Sequence, residues 1–280
     1  KIGIFGDYDV DGASATALIG NYLKLLNQAF DIYIPDRTSE GYGPSVESFK
    51  KLIDKNVRLI LTVDCGTMSF DAIDYAKKRK IDVIVLDHHQ SKIDLPKAHA
   101  IINPNQLGDK STLNYLCAAG VCFMTLVSLN SFLRKSKWFI ENNIKEPNLL
   151  DFLDIVSLGT ICDVVPLVGL NRAIVKQGLK ILNQKKNLGL KTLIEICKIE
   201  KKASTYHLGY VLGPRINAGG RVGKCSHGAN LLLNKDPKYS FKLASELDKF
   251  NKERQMLEKD LLKKILIESK KSSDDPVLIL

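Results

Sequence analysis

The sequence lacks the long apolar segment that would carry a chain across a membrane. Its longest apolar stretch, Leu116 to Phe132, is interrupted by Gly120, Ser128, Asn130 and Ser131. A spanning helix needs about 20 largely apolar residues. A secretory leader is also missing, because the chain starts directly on a strand-like run. We therefore expect no membrane partner, and the start on Lys1 rather than Met suggests a fragment.

Paired cysteine motifs are absent as well. The six cysteines are scattered, with no CxxC pair among Cys65, Cys117, Cys122, Cys162, Cys197 and Cys225. A disulfide framework would show regular, pairable spacings. Scattered cysteines in a chain of this size indicate reduced, mostly buried thiols, which predicts a cytoplasmic protein.

The composition is that of a globular protein with a basic C-terminal third. Hydrophobic residues make up 45% and charged residues 26% of 280 residues, enough for two domains or for one large domain with an appendage. The net charge is +10, and residues 201–280 hold 16 Lys and Arg against 9 Asp and Glu, which is +7. This distribution suits a polyanionic substrate. A general lysine bias would give the same totals, so charge alone leaves both interpretations open.

The first hundred residues alternate between short apolar runs and amphipathic stretches. Predicted strands are Ile2–Phe5, Asp31–Ile34, Arg58–Val63, Asp82–Leu86 and His99–Ile102, and predicted helices are Ala13–Leu26, Pro44–Lys55 and Ser69–Lys80. Apolar strands that are each followed by a helix indicate a parallel sheet covered on both faces. The pattern predicts a doubly wound α/β fold with a mainly parallel sheet.

The rest of the chain reads as mainly helical. We expect helices over 115–135 and 149–162, a polar connection over 138–148, and two more helices within 171–200. Ser240–Lys271 contains no Gly or Pro and predicts one long connecting helix. The expected divisions are an α/β domain (1–165), a helical part with a glycine- and arginine-rich loop (166–239), the connecting helix (240–273), and the first strand of a truncated domain (275–280).

Three carboxylates follow the first predicted strand. In Gly6–Gly12, Asp7, Asp9 and Asp11 occupy alternate positions, so in an extended chain their side chains would point the same way. Like charges on one small face need protons or cations to neutralise them. A solvated acidic turn is the alternative interpretation of this motif alone.

Two more strand ends carry groups of the same kind. Asp64-Cys65-Gly66 follows the third predicted strand, and Asp87-His88-His89 follows the fourth. Parallel α/β sheets bind ligands beyond the carboxyl ends of their strands. Several Asp oxygens with one or two His nitrogens favour Mn²⁺ above Zn²⁺ or Mg²⁺. The number of carboxylates suits two ions that share a bridging Asp, the arrangement used in phosphoryl transfer.

A glycine-rich segment, Gly213 to Gly223, carries two arginines. Glycines let backbone N–H groups approach an anion, and Arg215 and Arg221 offer forked donors suited to phosphate. Glycine-rich turns with stray arginines are common, so the segment alone supports either a phosphate site or an ordinary turn.

Together these motifs resemble those of a known superfamily. Four segments resemble the successive motifs of the DHH phosphoesterase superfamily: Gly6–Gly12, Val63–Gly66, Asp87–His89 and Cys162–Leu167. The segment Gly213–Arg221 is similar to a further motif of its RecJ branch, the 5′-to-3′ exonucleases of single-stranded DNA. The resemblance runs from residue 1 to about residue 255. Gly219, where Ala is more usual, and Thr67, where an apolar residue is more usual, depart from the pattern.

The resemblance implies a two-ion Mn²⁺ or Mg²⁺ centre formed by Asp9, Asp11, Asp64, His88, His89 and Asp163. Asp64 would bridge the ions, Asp64 and His89 would be catalytic, and Asp7 would be either a ligand or a support for one. Arg215, Asn217 and Arg221 would grip the strand. The resemblance further implies a monomer that acts on single-stranded DNA in repair and recombination, with a single-strand-binding protein and a helicase as partners. The missing C-terminal DHHA1 and OB-fold domains would complete the DNA channel.

Two other functions stay open from the sequence. A small-substrate DHH phosphoesterase would act on oligoribonucleotides, cyclic dinucleotides or pyrophosphate. An inactive DNA-binding relative would serve as a scaffold, and such a protein should have lost metal ligands that are all present here.

Overall fold

The structure is a computed structural model that describes residues 1–269. Five strands form one parallel sheet: β1 (Ile2–Gly6), β2 (Phe30–Tyr33), β3 (Leu59–Val63), β4 (Asp82–Leu86) and β5 (Ala100–Ile102). In space they lie in the order β2-β1-β3-β4-β5. Each of the five strands predicted in the first hundred or so residues is present, with each end within one residue of its predicted position.

Helices cover both faces of this sheet. α1 (Val10–Leu25) packs on one face, and α2 (Val46–Ile53) and α3 (Phe70–Lys78) pack on the other. Successive side chains of a strand point to opposite faces, so Ile4 joins the core beneath α1 while Phe5 joins the core beneath α2 and α3. The doubly wound α/β fold predicted from the sequence is therefore confirmed.

A helical part follows the sheet. It comprises α4 (Ala118–Lys135), α5 (Trp138–Glu141), a 3₁₀ turn (Leu149–Phe152), α6 (Leu153–Cys162), α7 (Gly169–Leu182), α8 (Leu188–Ile196), a π-helical turn (His207–Leu212), α9 (Gly213–Val222), α10 (His227–Leu233) and α11 (Pro237–Ser269). The connection expected over 138–148 contains the short helix α5, and the helix expected over 149–162 starts as a 3₁₀ turn. All six cysteines are free thiols.

The segment expected to be a glycine-rich loop is helix α9, so that prediction was wrong. Its glycines allow close packing. A Cβ on Gly213 would lie 2.4 Å from the Cys162 sulfur, and a Cβ on Gly220 would lie 3.0 Å from the Tyr8 carbonyl oxygen. Glycine is normally unfavourable inside a helix, but here a missing side chain lets neighbouring segments approach the helix.

The long helix α11 starts on the helical part and continues beyond it. Leu243 and Leu247 are buried near its start, whereas Met256 and Leu261 are exposed further along. The predicted residues 270–273 of this helix and the strand predicted at 275–280 lie outside the described residues. None of the helices in residues 1–269 combines the length and the apolar character needed to cross a membrane.

Candidate metal centre

The strands that precede the acidic motifs are neighbours in the sheet. β1 lies beside β3, and β3 lies beside β4, all parallel, so their carboxyl ends meet at one edge. Strand order also reverses here, because β2 follows β1 in the chain on one side and β3 lies on the other. Such a switch point is where open α/β sheets bind ligands.

The segment Gly6–Gly12 is not extended through its three carboxylates, contrary to the sequence prediction. β1 ends at Gly6 and α1 begins at Val10. Asp9 caps this helix, because its side chain accepts a hydrogen bond from the Gly12 N–H at 2.9 Å. Asp11 turns away and accepts from the N–H groups of Ala118 and Ala119 at the start of α4, the latter at 3.0 Å. The Asp9 and Asp11 side chains therefore point toward different parts of the chain.

All seven residues proposed from the sequence as ligands nevertheless come together. Three groups have ligand atoms that lie within 4.8 Å of one another: Asp7 with Asp9 and Asp64, Asp64 with His88 and His89, and Asp11 with His88 and Asp163. Asp64 and His88 each belong to two of these groups. We call the seven residues the carboxylate–histidine cluster.

His88 lies at the middle of this cluster. Its Nε2 atom is 3.2 Å from an Asp64 oxygen and 3.8 Å from an Asp11 oxygen, and its Nδ1 atom is 3.7 Å from an Asp163 oxygen. Burial, assisted by the neighbouring His89, lowers the pKa of His88. The neutral imidazole that results is the form that binds a metal ion.

The carboxylates of the cluster carry more negative charge than the protein neutralises. Burial, and after it the charge of a neighbouring carboxylate, raises the pKa of Asp7 and of Asp11 to about 7 and that of Asp163 to about 6. The pKa of Asp64 is raised well above its ordinary value for the same reasons. A buried oxygen of Asp7, Oδ1, has no hydrogen-bond partner among the described residues. These oxygens and nitrogens fit divalent cations.

Asp87 has a supporting role that the sequence did not show. One of its oxygens accepts from His89 Nδ1 at 2.7 Å, and the other accepts from the Thr67 N–H at 3.0 Å. Burial opposes ionisation, but these bonds outweigh it and hold the pKa of Asp87 below its usual range. The same contact raises the pKa of His89. A carboxylate that fixes the ring of a ligand histidine in this way is common in metal sites.

Asn103 holds the backbone of the same segment. This buried side chain donates to the Thr67 hydroxyl at 2.9 Å and to the His89 carbonyl at 2.8 Å. Thr67, the departure noted in the sequence, is thus the acceptor for Asn103. Asn103 directly follows β5. Looking for polar residues beyond the carboxyl end of the fifth strand, as was done for the other strands, would have found it.

Two residues of the cluster region adopt left-handed backbone conformations. Asp64 has φ 63°, and Val164, next to Asp163, has φ 58°. Such values are uncommon outside glycine and are strained for a β-branched residue. Backbone strain of this kind persists where the surrounding structure fixes it, often at functional sites.

The structure places the predicted phosphate-binding residues in different surroundings. Arg215 is half-buried, pairs with Asp248 at 2.8 Å and donates to the Val211 carbonyl at 2.7 Å. Asn217 is half-buried on α9, whereas Arg221 is exposed and pairs with no acid in the described part of the chain. Sequence reasoning missed Arg37. Its guanidinium lies 5.4 Å from the centre of the ring of Tyr8, the residue between Asp7 and Asp9 in the sequence.

Fold and site together define a class: doubly wound α/β proteins with a carboxylate and histidine centre of metal-binding type at the switch point of the sheet. The family model described as "DHH family, N-terminal domain" matches residues 1–160. The chain belongs to the DHH family.

Individual relatives agree with this assignment. The single-stranded-DNA-specific exonuclease RecJ of Dickeya dadantii is 40% identical over 261 residues, which is 92% of this chain and 45% of that protein. The crystal structure of exonuclease RecJ bound to manganese matches with a TM-score of 0.83 and 32% identity, over 95% of this chain and 65% of that one. The structure of RecJ from Thermus thermophilus in complex with Mn²⁺ matches with a TM-score of 0.80 and 30% identity. This match covers 96% of this chain and 37% of that one. The chain spans about half the length of the curated relatives it matches.

Proposed function

We propose that this chain is the metal-binding, catalytic part of an exonuclease that hydrolyses single-stranded DNA from its 5′ end. The observation that carries the proposal is the carboxylate–histidine cluster, in which Asp64 and His88 each join two ligand groups. Such sharing suits two adjacent ions. The relatives named single-stranded-DNA-specific exonuclease supply the substrate class.

The proposed ligands of two Mn²⁺ or Mg²⁺ ions are the residues of the cluster: Asp9, Asp11, Asp64, His88, His89 and Asp163, with Asp7 as a further oxygen donor. Manganese is the ion in the two RecJ structures described above, and a further matching RecJ structure is in complex with Mg²⁺, which hard oxygen donors also accept. When bound, such ions polarise a phosphodiester and activate water for its hydrolysis.

Within the chain, Asp64 and His89 would have the main catalytic parts. The Tyr42 hydroxyl donates to the Asp64 carbonyl at 3.0 Å. This bond and the left-handed backbone at Asp64 would hold its side chain between the two ligand groups to which it belongs. His89 donates its Nδ1 proton to Asp87, which leaves Nε2 free to hold an ion, and its catalytic part would be to keep that ion against the phosphate.

Cationic side chains near the cluster would bind the phosphates of the DNA strand. Arg221 and Arg37 are the proposed phosphate-binding arginines, because neither pairs with an acid in the described residues and both lie on segments next to Tyr8. Asn217 would add a polar contact on the same helix. Arg215 would mainly support the packing of the helical part, since its guanidinium is already paired with Asp248.

The broader setting is proposed on the same basis. We infer a cytoplasmic monomer acting in DNA repair and recombination, with a single-strand-binding protein and a helicase as partners. Residues 1–165 would hold the metal ions, residues 166–239 would support the strand, and α11 would connect to a further domain.

Digestion of end-labelled DNA tests the proposal. Single-stranded oligonucleotides labelled at the 5′ or the 3′ end are incubated with the purified protein and Mn²⁺. We expect the 5′ label to be released first as a mononucleotide and duplex DNA to resist. Faster hydrolysis of dinucleotides than of long strands would instead indicate a small-substrate phosphoesterase. DNA binding without any hydrolysis or metal binding would indicate a scaffold.

A further inference from the structure

Two tyrosines form an exposed stacked pair outside the carboxylate–histidine cluster. Tyr206 and Tyr210 are 61% and 75% exposed, and their ring centroids lie 5.3 Å apart at an interplanar angle of 28°. Stacking orders the two rings against each other while one aromatic face stays open to solvent. We call Tyr206 and Tyr210 the tyrosine pair.

The tyrosine pair is mounted on a rigid support near the metal centre. Leu208 and Leu212, on the other face of the π-helical turn, are fully buried. A Cβ on Gly209 would lie 3.2 Å from Ile161, and the Cys162 thiol donates to the Leu208 carbonyl at 3.5 Å. The turn therefore packs against the last residues of α6, which ends next to Asp163.

The surroundings of the tyrosine pair are suited to a polyanion. Lys201 and Lys202, just before it in the chain, are exposed and form no ion pair with any described residue. An exposed aromatic surface beside cations is the combination that single-strand-binding surfaces use, with stacking for the bases and cations for the backbone.

We propose that the tyrosine pair is a stacking site for a nucleobase of the single strand, on the 3′ side of the reacting phosphate. The proposal rests on the proposed function and deepens it. Helical backbone runs from Tyr210 to Gly220, which lies against Tyr8. Ten helical residues span about 15 Å, or roughly four nucleotides at about 3.4 Å each. The stacked base would therefore lie about four nucleotides from the metal centre.

Binding measurements with oligonucleotides of graded length test this site. Fluorescence anisotropy is measured with the purified protein carrying Asp64→Asn to prevent digestion. Adding Tyr206→Ala and Tyr210→Ala should weaken binding of a twelve-nucleotide strand about five-fold or more, because stacking on an aromatic side chain stabilises each bound base. Binding of a dinucleotide should stay unchanged. Tyr239→Ala, which removes a 43% exposed tyrosine from α11, is the matched control and should change neither.

Conservative variants and a modified strand separate stacking from other causes. Tyr206→Phe with Tyr210→Phe should bind like the parent protein, whereas the corresponding Leu variant should behave like the Ala variant. A strand made abasic at the fourth to sixth positions should bind the parent and the Ala variant alike. Equal weakening on normal and abasic strands, or no weakening, would overturn the proposal, as would a change in oligomeric state that reveals a protein contact. A parent protein that binds no strand would instead refute the proposed function.

Discussion

The carboxylate–histidine cluster and helix α9 both carry conspicuous charge, and they differ in how that charge is balanced. In the cluster, buried carboxylates face one another, and an oxygen of Asp7 has no hydrogen-bond partner among the described residues. On α9, Arg215 meets Asp248, which also pairs with Lys252 at 2.7 Å. The first region needs a cation from outside, whereas Arg215 in the second already has an acidic partner within the protein.

This difference separates residues that await a ligand from residues that maintain the fold. Buried charge is costly unless it is paired, so a concentration of unpaired carboxylates at a sheet edge indicates a binding site. A paired arginine indicates a structural contact first. Substitutions in each region can show whether charge balance distinguishes the two regions as we infer.

The largest effect should come from Asp64. Replacing it with Asn keeps the shape of the side chain but removes the charge shared by two ligand groups. We expect nuclease activity with Mn²⁺ to fall by about a thousand-fold or more, equivalent to about 4 kcal/mol of barrier. Titration calorimetry should show weaker Mn²⁺ binding.

The matched control is Asp71→Asn, which alters a carboxylate at the start of α3 that lies in none of the ligand groups. Its activity should match that of the parent protein. Unchanged activity of Asp64→Asn would contradict the assignment of the metal centre.

A smaller loss should follow from Asn103→Ala. The variant removes the donor that holds the His89 carbonyl and the Thr67 hydroxyl, so the histidine segment should shift. Groups that orient metal ligands typically affect activity or metal affinity by about 10- to 100-fold. We expect a loss in that range in kcat, with weaker Mn²⁺ binding. A loss of melting temperature alone, without weaker metal binding, would make Asn103 purely structural.

The sheet and the positions of most cluster residues could be predicted because both follow from local pattern. Short apolar strands alternate with helices, and parallel topology brings the ends of β1, β3 and β4 to one edge. The direction of Asp11 could not be predicted, because its partners are the N–H groups of Ala118 and Ala119, over a hundred residues away.

Helix α9 shows the other limit of sequence reasoning. Glycine allows both a turn and close helix packing, and only the positions of Tyr8 and Cys162 in the fold show which applies to Gly220 and Gly213. Likewise, the Asp248 partner of Arg215 lies on a different helix. Pattern alone therefore could not rank Arg215 against Arg221.

The melting temperature should depend on pH more strongly without metal than with it. The pKa values of Asp7 and Asp11, at about 7, lie above the unfolded value near 3.8, so the folded state binds their protons more tightly. Stability from this source is present below about pH 4 and is lost as pH rises through about 7. We expect the melting temperature in EDTA to fall by several degrees between about pH 5 and pH 8, and Mn²⁺ to suppress that fall.

Asp154 provides the internal control for this experiment. It is buried at the start of α6, outside the three ligand groups, and burial raises its pKa to about 7. Asp154 should therefore add a pH dependence that Mn²⁺ leaves unchanged, and Asp154→Asn should remove that part. A fall in melting temperature that is equally large with and without Mn²⁺ in Asp154→Asn would contradict cation binding by the cluster.

The smallest effect, and the most direct test of charge balance, concerns the two arginines of α9. Arg221→Ala should weaken binding of single-stranded DNA a few-fold and reduce the slope of log affinity against log salt by about 0.7, since one phosphate contact is lost. Its melting temperature should stay unchanged because Arg221 has no acidic partner among the described residues. Arg215→Ala should lower the melting temperature, because it leaves the half-buried Asp248 with only Lys252. If Arg215→Ala reduced the salt slope without destabilising the fold, Arg215 would be a phosphate ligand in spite of its ion pair, and charge balance would not separate the two regions.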